Sequence, residues 1–164
     1  MSKDNLCQSK YQPQQCNSCK SHFKPSCVSC SQDRKKTLEE NRKKFIIQNP
    51  SQQLFQTIHI DGCQIQDPHA RCDYMVTVHE NNTTRHALYI ELKGVDIEKA
   101  ASQLEETIKS IKIKNTVCKS YIVCTKVSPS ISTKIQILKE KFQKNYKSTL
   151  EIKNNQIEVN LDSL

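Results

Sequence analysis

Three short β-type segments, followed at once by an amphipathic helix and another apolar strand, restrict the fold of this chain more than any other feature. The strands are predicted at 54–60, 72–79 and 85–93, the helix at 96–113, and the next strand at 121–127. Apolar side chains recur every three or four positions along the helix, and Asp96 stands where an N-cap is needed. Because a helix that connects two neighbouring strands makes them parallel, the pattern predicts a mixed α/β sheet with helices on its faces.

Further elements are predicted on both sides of this core. The few apolar side chains of residues 33–47 lie on one side of a helical wheel, which predicts a basic helix. A second amphipathic helix is predicted at 130–146, and a closing hairpin at 150–161. The expected order of the core is therefore α-β-β-β-α-β.

Length and charge limit the class of protein. A chain of 164 residues has the size of one domain with a modest core. Its apolar runs are far shorter than the ~20 residues that span a bilayer, and it has no leader-like start, so we expect a cytoplasmic protein without membrane contact. Ten of the 25 basic residues, but only four of the 17 acidic ones, lie in the first 50 residues. This excess favours a polyanion such as nucleic acid as partner, the alternative being a solvated basic face.

Cysteines crowd the N-terminal segment, residues 1–33. Cys16 and Cys19 form one CxxC pair and Cys27 and Cys30 a second, in a polar segment with little to bury. Such a segment cannot fold on hydrophobic burial alone, and two CxxC pairs supply the four thiolates that suit tetrahedral Zn²⁺. His22 is a substitute ligand, since the gap between the pairs is short. We therefore expect a zinc-binding segment before the main domain, residues 34–164.

Two other interpretations of these cysteines stay open. The spacing allows an iron–sulfur cluster. A disulfide scaffold is not expected, because there is no secretory leader and the nine cysteines are an odd number. Cys7 is left unassigned, and four later cysteines that lie among apolar residues are interpreted as small core side chains: Cys63, Cys72, Cys118 and Cys124.

The predicted hairpin of strands 72–79 and 85–93 brings two acidic residues together. If the turn is centred on Asn82, opposed residues have numbers that add to 164, so Asp73 faces Glu91. Opposed side chains in an antiparallel pair lie ~5 Å apart, where like charges destabilise the sheet. A divalent ion with oxygen ligands would relieve this repulsion, and Lys93 points from the same face. The alternative is a surface ion pair of Glu91 with Lys93, which leaves Asp73 without a role.

These residues and the order of elements resemble the PD-(D/E)XK nuclease superfamily, which has the restriction-endonuclease-like fold. The motif is Cys72-Asp73 followed by Glu91-Leu92-Lys93, with Cys in place of the usual Pro, and the resemblance covers residues 34–127. It implies hydrolysis of phosphodiester bonds that depends on Mg²⁺ or Mn²⁺. Asp73 and Glu91 would hold the metal, and Lys93 would act on the attacking water.

The resemblance also implies further site residues and a substrate. Some members add an acidic residue from the first helix, where Glu39 is the better candidate, and others a glutamine after the lysine, here Gln103. We expect DNA as substrate, with RNA as an alternative and a homodimer if both strands of a duplex are cut. The alternative from another class is a non-catalytic module that binds nucleic acid or protein through a zinc-finger-like N-terminus.

Overall fold

The computed structural model describes residues 23–81, 83–94, 96–127 and 132–164 of the chain. Within these residues it contains two α-helices, a six-stranded sheet and a three-stranded sheet. The helices are α1 (Ile97–Ser110) and α2 (Ser132–Tyr146). The larger sheet contains β1 (Val28–Ser31), β4 (Phe55–His59), β5 (Tyr74–Glu80), β6 (Thr83–Gly94), β7 (Val117–Cys124) and β8 (Ser148–Asn154). The smaller sheet contains β2 (Lys35–Glu40), β3 (Lys43–Gln48) and β9 (Gln156–Asn160).

The six-stranded sheet is mixed, as the sequence predicts. Its order is β1-β4-β5-β6-β7-β8. The first four of these strands pair antiparallel, whereas β6, β7 and β8 are parallel. The two parallel connections run through α1 and α2, in agreement with the rule that parallel neighbours need a crossover. The predicted succession of three strands, a helix and a strand after residue 53 is therefore confirmed.

Both faces of the larger sheet are buried, each against a different layer. Alternate side chains of β5 and β6 point to opposite faces. Met75 and Tyr89 pack on the face that α1 and α2 cover, together with Leu104 and Phe142. The opposite face packs on the smaller sheet: Val76, Val78, Leu88, Ile90 and Leu92 join Leu38, Phe45 and Ile157. The fold is therefore three layers deep.

The helix predicted at 33–47 is wrong, because these residues form the β2–β3 hairpin. Asn41 and Arg42 make the turn with φ angles of 48° and 63°, the left-handed values that a two-residue hairpin turn requires. Opposite charges face each other across the strands, with Glu39 opposite Lys44 and Glu40 opposite Lys43. Such pairs stabilise a sheet, and they explain how a highly charged segment forms one. The first helix of the expected α-β-β-β-α-β order is therefore replaced by a hairpin.

The hairpin predicted at 150–161 is also wrong, although both of its strands exist. β8 pairs parallel with β7, whereas β9 pairs parallel with β3 of the other sheet. Asn155 makes the change of direction with a φ of 62°. Its N–H donates to the carbonyl of Cys124 at 2.9 Å, and its own carbonyl accepts from Lys44 N–H at 3.0 Å. One residue thus joins the two sheets.

The described cysteines of the N-terminal segment are in disulfides. Cys27 is bonded to Cys63, and Cys30 is disulfide-bonded as well. Neither sulfur is available as a zinc thiolate, so these residues do not fit the predicted four-cysteine site. Cys16 and Cys19 lie outside the described residues. Cys63 is accordingly not a free core cysteine, which corrects that interpretation, whereas Cys72 and Cys124 are free and buried and Cys118 is free and half-buried.

The end of the Cys-rich segment is part of the main sheet. β1 pairs with β4, with Val28 opposite Ile58 and Ser31 opposite Phe55. Because Val28 lies opposite Ile58, the preceding residue Cys27 lies next to the loop that follows β4, and this loop contains Cys63. Residues 28–31 are therefore not separate from the domain that was expected to begin at residue 34.

Candidate functional site

The β5–β6 hairpin has the register that the sequence predicts. Tyr74 lies opposite Ile90 and Val76 opposite Leu88, so the numbers of opposed residues add to 164. The register shifts only near the turn, after Val78. Continued by one residue beyond Tyr74, it brings Asp73 level with Glu91. The two carboxylates thus belong to neighbouring chain segments at the end of β6.

A short hydrogen bond fixes Asp73 against β6. Its Oδ2 accepts from the backbone N–H of Leu92 at 2.7 Å. The backbone carbonyl of Asp73 accepts from Ile60 N–H at 3.0 Å on the other side. Asp73 is therefore held between the end of β4 and the end of β6, and its side chain points towards the Glu91 segment.

Both carboxylates are buried. Asp73 is 2% exposed and Glu91 is 1% exposed. Burial raises the pKa of the neighbouring Cys72 thiol to about 12, and the charges of Glu91 and Asp73 act in the same direction. Deep burial strengthens electrostatic interactions there and also restricts access from solvent.

The pairing of β6 with β7 changes register next to Glu91. On β6 three steps separate Glu91 from Gly94, whereas on β7 only two separate their partners, Ile122 and Cys124. A β-bulge or another local irregularity produces such a difference of one residue. Lys93 lies in this part of β6, and its side chain lies outside the described part of the structure.

Helix α1 covers the carboxylates and supports the segment before Asp73. Thr107 Oγ1 accepts from Cys72 N–H at 2.9 Å. Gln103 Nε2 donates to the carbonyl of Arg71 at 2.9 Å, so the described role of Gln103 is to hold backbone. Asp96 caps α1 as predicted, accepting from two backbone N–H groups of its first turn. The loop, the strand end and the helix are thus fixed relative to one another.

Glu39 is not part of this region. It lies on β2 in the smaller sheet, is exposed, and pairs with Lys44 at 3.7 Å. The smaller sheet covers the face opposite to the one that carries Asp73 and Glu91. Glu39 is therefore wrong as a third acidic ligand from a first helix, because the helix on which that prediction depended is absent.

Arg71 is a buried cation close to Asp73 in the chain that the sequence analysis did not single out. It precedes Asp73 by two positions and is only 7% exposed. Its guanidinium donates to the carbonyl of Ala70 at 2.9 Å and pairs with Asp67 at 3.3 Å. An arginine can bind phosphate oxygens, but the described contacts of this side chain are with Asp67 and Ala70 and not with the two carboxylates. Its only sequence signal was its position just before Cys72-Asp73.

The donor set of this region suits a hard divalent ion. Mg²⁺ is commonly bound by one or two carboxylates and keeps several waters. Asp73 and Glu91 supply that number of carboxylates. No group of three or more His, Cys, Asp or Glu side chains that could hold a metal is present in the described residues. The region therefore fits an ion that also uses water and substrate oxygens, and it does not fit a closed protein cage.

Comparison with known protein families, characterised proteins and solved structures finds no match for this chain. Neither helix of the described residues is long and apolar enough to cross a membrane. Any function must therefore be argued from the chemistry of its own residues.

Proposed function

We propose that this protein is a divalent-metal-dependent nuclease that hydrolyses phosphodiester bonds, in DNA in preference to RNA. The observation that carries the proposal is the pair of buried carboxylates, Asp73 and Glu91, at neighbouring ends of the β5–β6 hairpin. The location supports it, because ligands of α/β sheets bind beyond the carboxyl ends of the strands, where β6 ends. The strand and helix order after residue 53 agrees with a PD-(D/E)XK core, although its first helix is replaced by the β2–β3 hairpin.

The residues divide the work of hydrolysis among them. Asp73, fixed by Leu92 N–H, and Glu91 would hold Mg²⁺ or Mn²⁺. When bound, the ion would neutralise phosphate charge and make a water molecule more acidic. Lys93 orients the attacking water and stabilises the negative charge that develops on the phosphoryl oxygens. Water adds to phosphorus and gives up a proton, the bond to the leaving oxygen breaks, and that oxygen takes up a proton.

The proposal is tested with labelled plasmid, linear, branched and single-stranded substrates, with Mg²⁺, with Mn²⁺ and with chelator. We expect metal-dependent cleavage that falls at least about 100-fold in Asp73→Asn and in Lys93→Ala. Asp61→Asn is the matched control, because Asp61 is an exposed carboxylate at the same end of the sheet. Mg²⁺ at roughly 100 times its Kd should also raise the free energy of unfolding by about 2.7 kcal/mol in the wild type, but not in Asp73→Asn.

If no substrate is cleaved with any of the metals, the protein is not a nuclease. If Asp73→Asn and Asp61→Asn are equally active, Asp73 has no role in catalysis, even if the protein cleaves DNA. The folded state of each variant is checked by thermal unfolding, so that lost activity is separated from lost structure.

The near-complete burial of both carboxylates favours a second candidate, a non-catalytic nucleic-acid-binding module. A phosphate must reach Asp73 and Glu91 for catalysis, and both are covered. In this alternative the net charge of +8 binds the phosphate backbone. Binding would then fall with salt, survive Asp73→Asn and be insensitive to chelation of Mg²⁺.

A further inference from the structure

A cavity lies at the end of the larger sheet where β7 and β8 begin, whereas Glu91 lies near the opposite end of the parallel strands. It occupies about 210 Å³ next to the first residues of β7 and β8 and the last residues of α1 and α2. Lys112 and Lys147 line it, together with apolar and aromatic walls from Tyr89, Ile113 and Tyr146. Two cations on an apolar pocket are the arrangement that recognises a small anionic ligand.

Lys112 and Lys147 are not in ion pairs with described residues, whereas two nearby lysines are. Lys109 pairs with Glu106 at 2.8 Å, and Lys141 pairs with Glu105 at 2.6 Å. Neither Lys112 nor Lys147 makes a salt bridge with another residue of the described ranges. Neither ammonium group is therefore held in an ion pair by a described residue, although the Glu105 carboxylate contacts the lining residue Tyr146.

Lys112 also acts on a second lining residue. Burial raises the pKa of the Cys118 thiol, and the charge of Lys112 opposes this rise. Cys118 and Lys112 both line this cavity. Lys112 follows the end of α1, where the Ile111 carbonyl accepts from the Tyr89 hydroxyl at 2.5 Å. This hydrogen bond fixes the chain just before Lys112.

The backbone of Lys147 has a left-handed conformation that normally favours glycine. It directly follows α2 and has a φ of 54°. This left-handed position after a helix is usually glycine, sometimes asparagine, because a Cβ atom costs about 1 kcal/mol there. Lysine is therefore not the residue that this backbone favours, although Arg42 and Gln52 are also non-glycine residues with positive φ. The Lys147 side chain lines the cavity and supplies its second cation.

The hydroxyl groups around the cavity are already engaged, which leaves the ammonium groups as donors. Thr116 Oγ1 donates to the Ile113 carbonyl at 2.8 Å, and the Tyr146 hydroxyl donates to Glu105 at 3.1 Å. The ligand must therefore supply negative oxygens to two ammonium groups and an apolar part to the walls. A phosphomonoester carries about −1.5 to −2 charges at neutral pH, which two lysines balance.

We propose that this cavity binds a phosphomonoester whose phosphate is carried by a sugar that also bears a planar aromatic base. Free nucleoside monophosphates and the phosphorylated terminal nucleotide of a nucleic-acid strand share this chemistry. The volume of about 210 Å³ lies below the ~300–1,000 Å³ of pockets for drug-sized ligands, which limits the enclosed part to one ring and its phosphate. The site is separate from the carboxylates and does not depend on the proposed nuclease activity.

Titration calorimetry of the whole protein tests this site with adenosine 5′-monophosphate, inorganic phosphate, and a single-stranded oligonucleotide with or without a 5′-phosphate. We expect the nucleotide to bind more tightly than inorganic phosphate. Lys147→Gly should weaken nucleotide binding at least about tenfold without loss of stability, because glycine suits its backbone. Lys112→Gln should weaken it similarly. Lys144→Gln, which removes an exposed lysine of α2 outside the cavity, is the matched control and should bind normally.

Two further arms identify the ligand source and separate the two sites. Tighter binding of the phosphorylated oligonucleotide than of its unphosphorylated form would assign the site to strand ends, and equal binding of both would assign it to free nucleotides. Asp73→Asn should bind the nucleotide as the wild type does. Absence of nucleotide binding, equal affinity for inorganic phosphate, or equal effects of Lys147→Gly and Lys144→Gln would each overturn the proposal.

Discussion

Acid should destabilise this protein through His79, a buried histidine of β5. Its Nε2 lies 2.9 Å from Thr77 Oγ1, and its Nδ1 lies 3.3 Å from Thr84 Oγ1. Thr77 Oγ1 donates to Gln56 Oε1 at 3.0 Å, so it accepts from His79, and Nε2 carries the proton of the neutral ring. Burial lowers the pKa of His79 from 6.5 to about 4. The folded state therefore resists protonation of a ring that the unfolded chain protonates readily.

The sign and size of the effect follow from this difference in pKa. Above about pH 6.5 the ring is neutral in both states and no stability is lost. As the pH falls below that value, the unfolded state binds a proton and the folded state does not. The free energy of unfolding should decrease by about 2 kcal/mol at pH 5 and by roughly 3 kcal/mol near pH 4. The pKa of His86 is also lowered, by burial and then by Lys119 and Arg85, so it acts in the same direction.

Urea unfolding of the wild type and His79→Gln between pH 7 and pH 4 measures the effect. At neutral pH the variant should be less stable by about 1–2 kcal/mol, because buried hydrogen bonds are lost. At about pH 5 the difference should vanish or reverse, since the variant has no ring to protonate. His86→Gln is the control for the second histidine. A pH-independent difference between wild type and His79→Gln would refute the argument, as would an NMR titration of His79 with an ordinary pKa.

Three further predictions concern stability and are measured by urea unfolding, with the exposed Ser102→Ala on α1 as a control that should change little. Asp96→Ala removes the N-cap of α1 and should cost about 0.5–2 kcal/mol; an unchanged value would mean that the cap is not formed in solution. Leu104→Ala opens a cavity at a fully buried position and should cost about 2–5 kcal/mol. A smaller loss would show that the helix-side core is loosely packed. Replacing Cys27 and Cys63 together by serine should cost about 2–4 kcal/mol, and the same variant under reducing conditions should show no further change from this bond.

The elements that the sequence predicts correctly are those whose residue pattern depends only on neighbours in the chain. α1 was predicted from its apolar period and its cap, and the β5–β6 register from alternation on either side of a short turn. Asp73 and Glu91 could be paired because the register depends only on that turn. Their burial under α1 could not be predicted, because it depends on where the helix crosses the sheet. Arg71 was missed for the same reason.

The two wrong elements fail for different physical reasons. Residues 35–48 contain four Lys and two Glu, which favour helices in isolation. Their opposite charges become cross-strand pairs only after the hairpin forms. For residues 148–160 the alternation predicted two strands correctly. It could not identify their partners, because β7 and β3 are distant in sequence and strand alternation alone does not choose a neighbour. The Cys27–Cys63 bond likewise depends on the pairing of β1 with β4.

The passage of the chain through Asn155 has a consequence for biosynthesis. β9 leaves the ribosome more than one hundred residues after β3, its only partner in the described sheet order. Until β9 is synthesised, Phe45 and Ile47 of β3 have no neighbouring strand on that side. The apolar face of the larger sheet also lacks its contacts with Ile157 and Val159 of β9. Because β9 pairs with a strand so distant in sequence, we expect the smaller sheet to form slowly and its partly folded states to expose apolar surface.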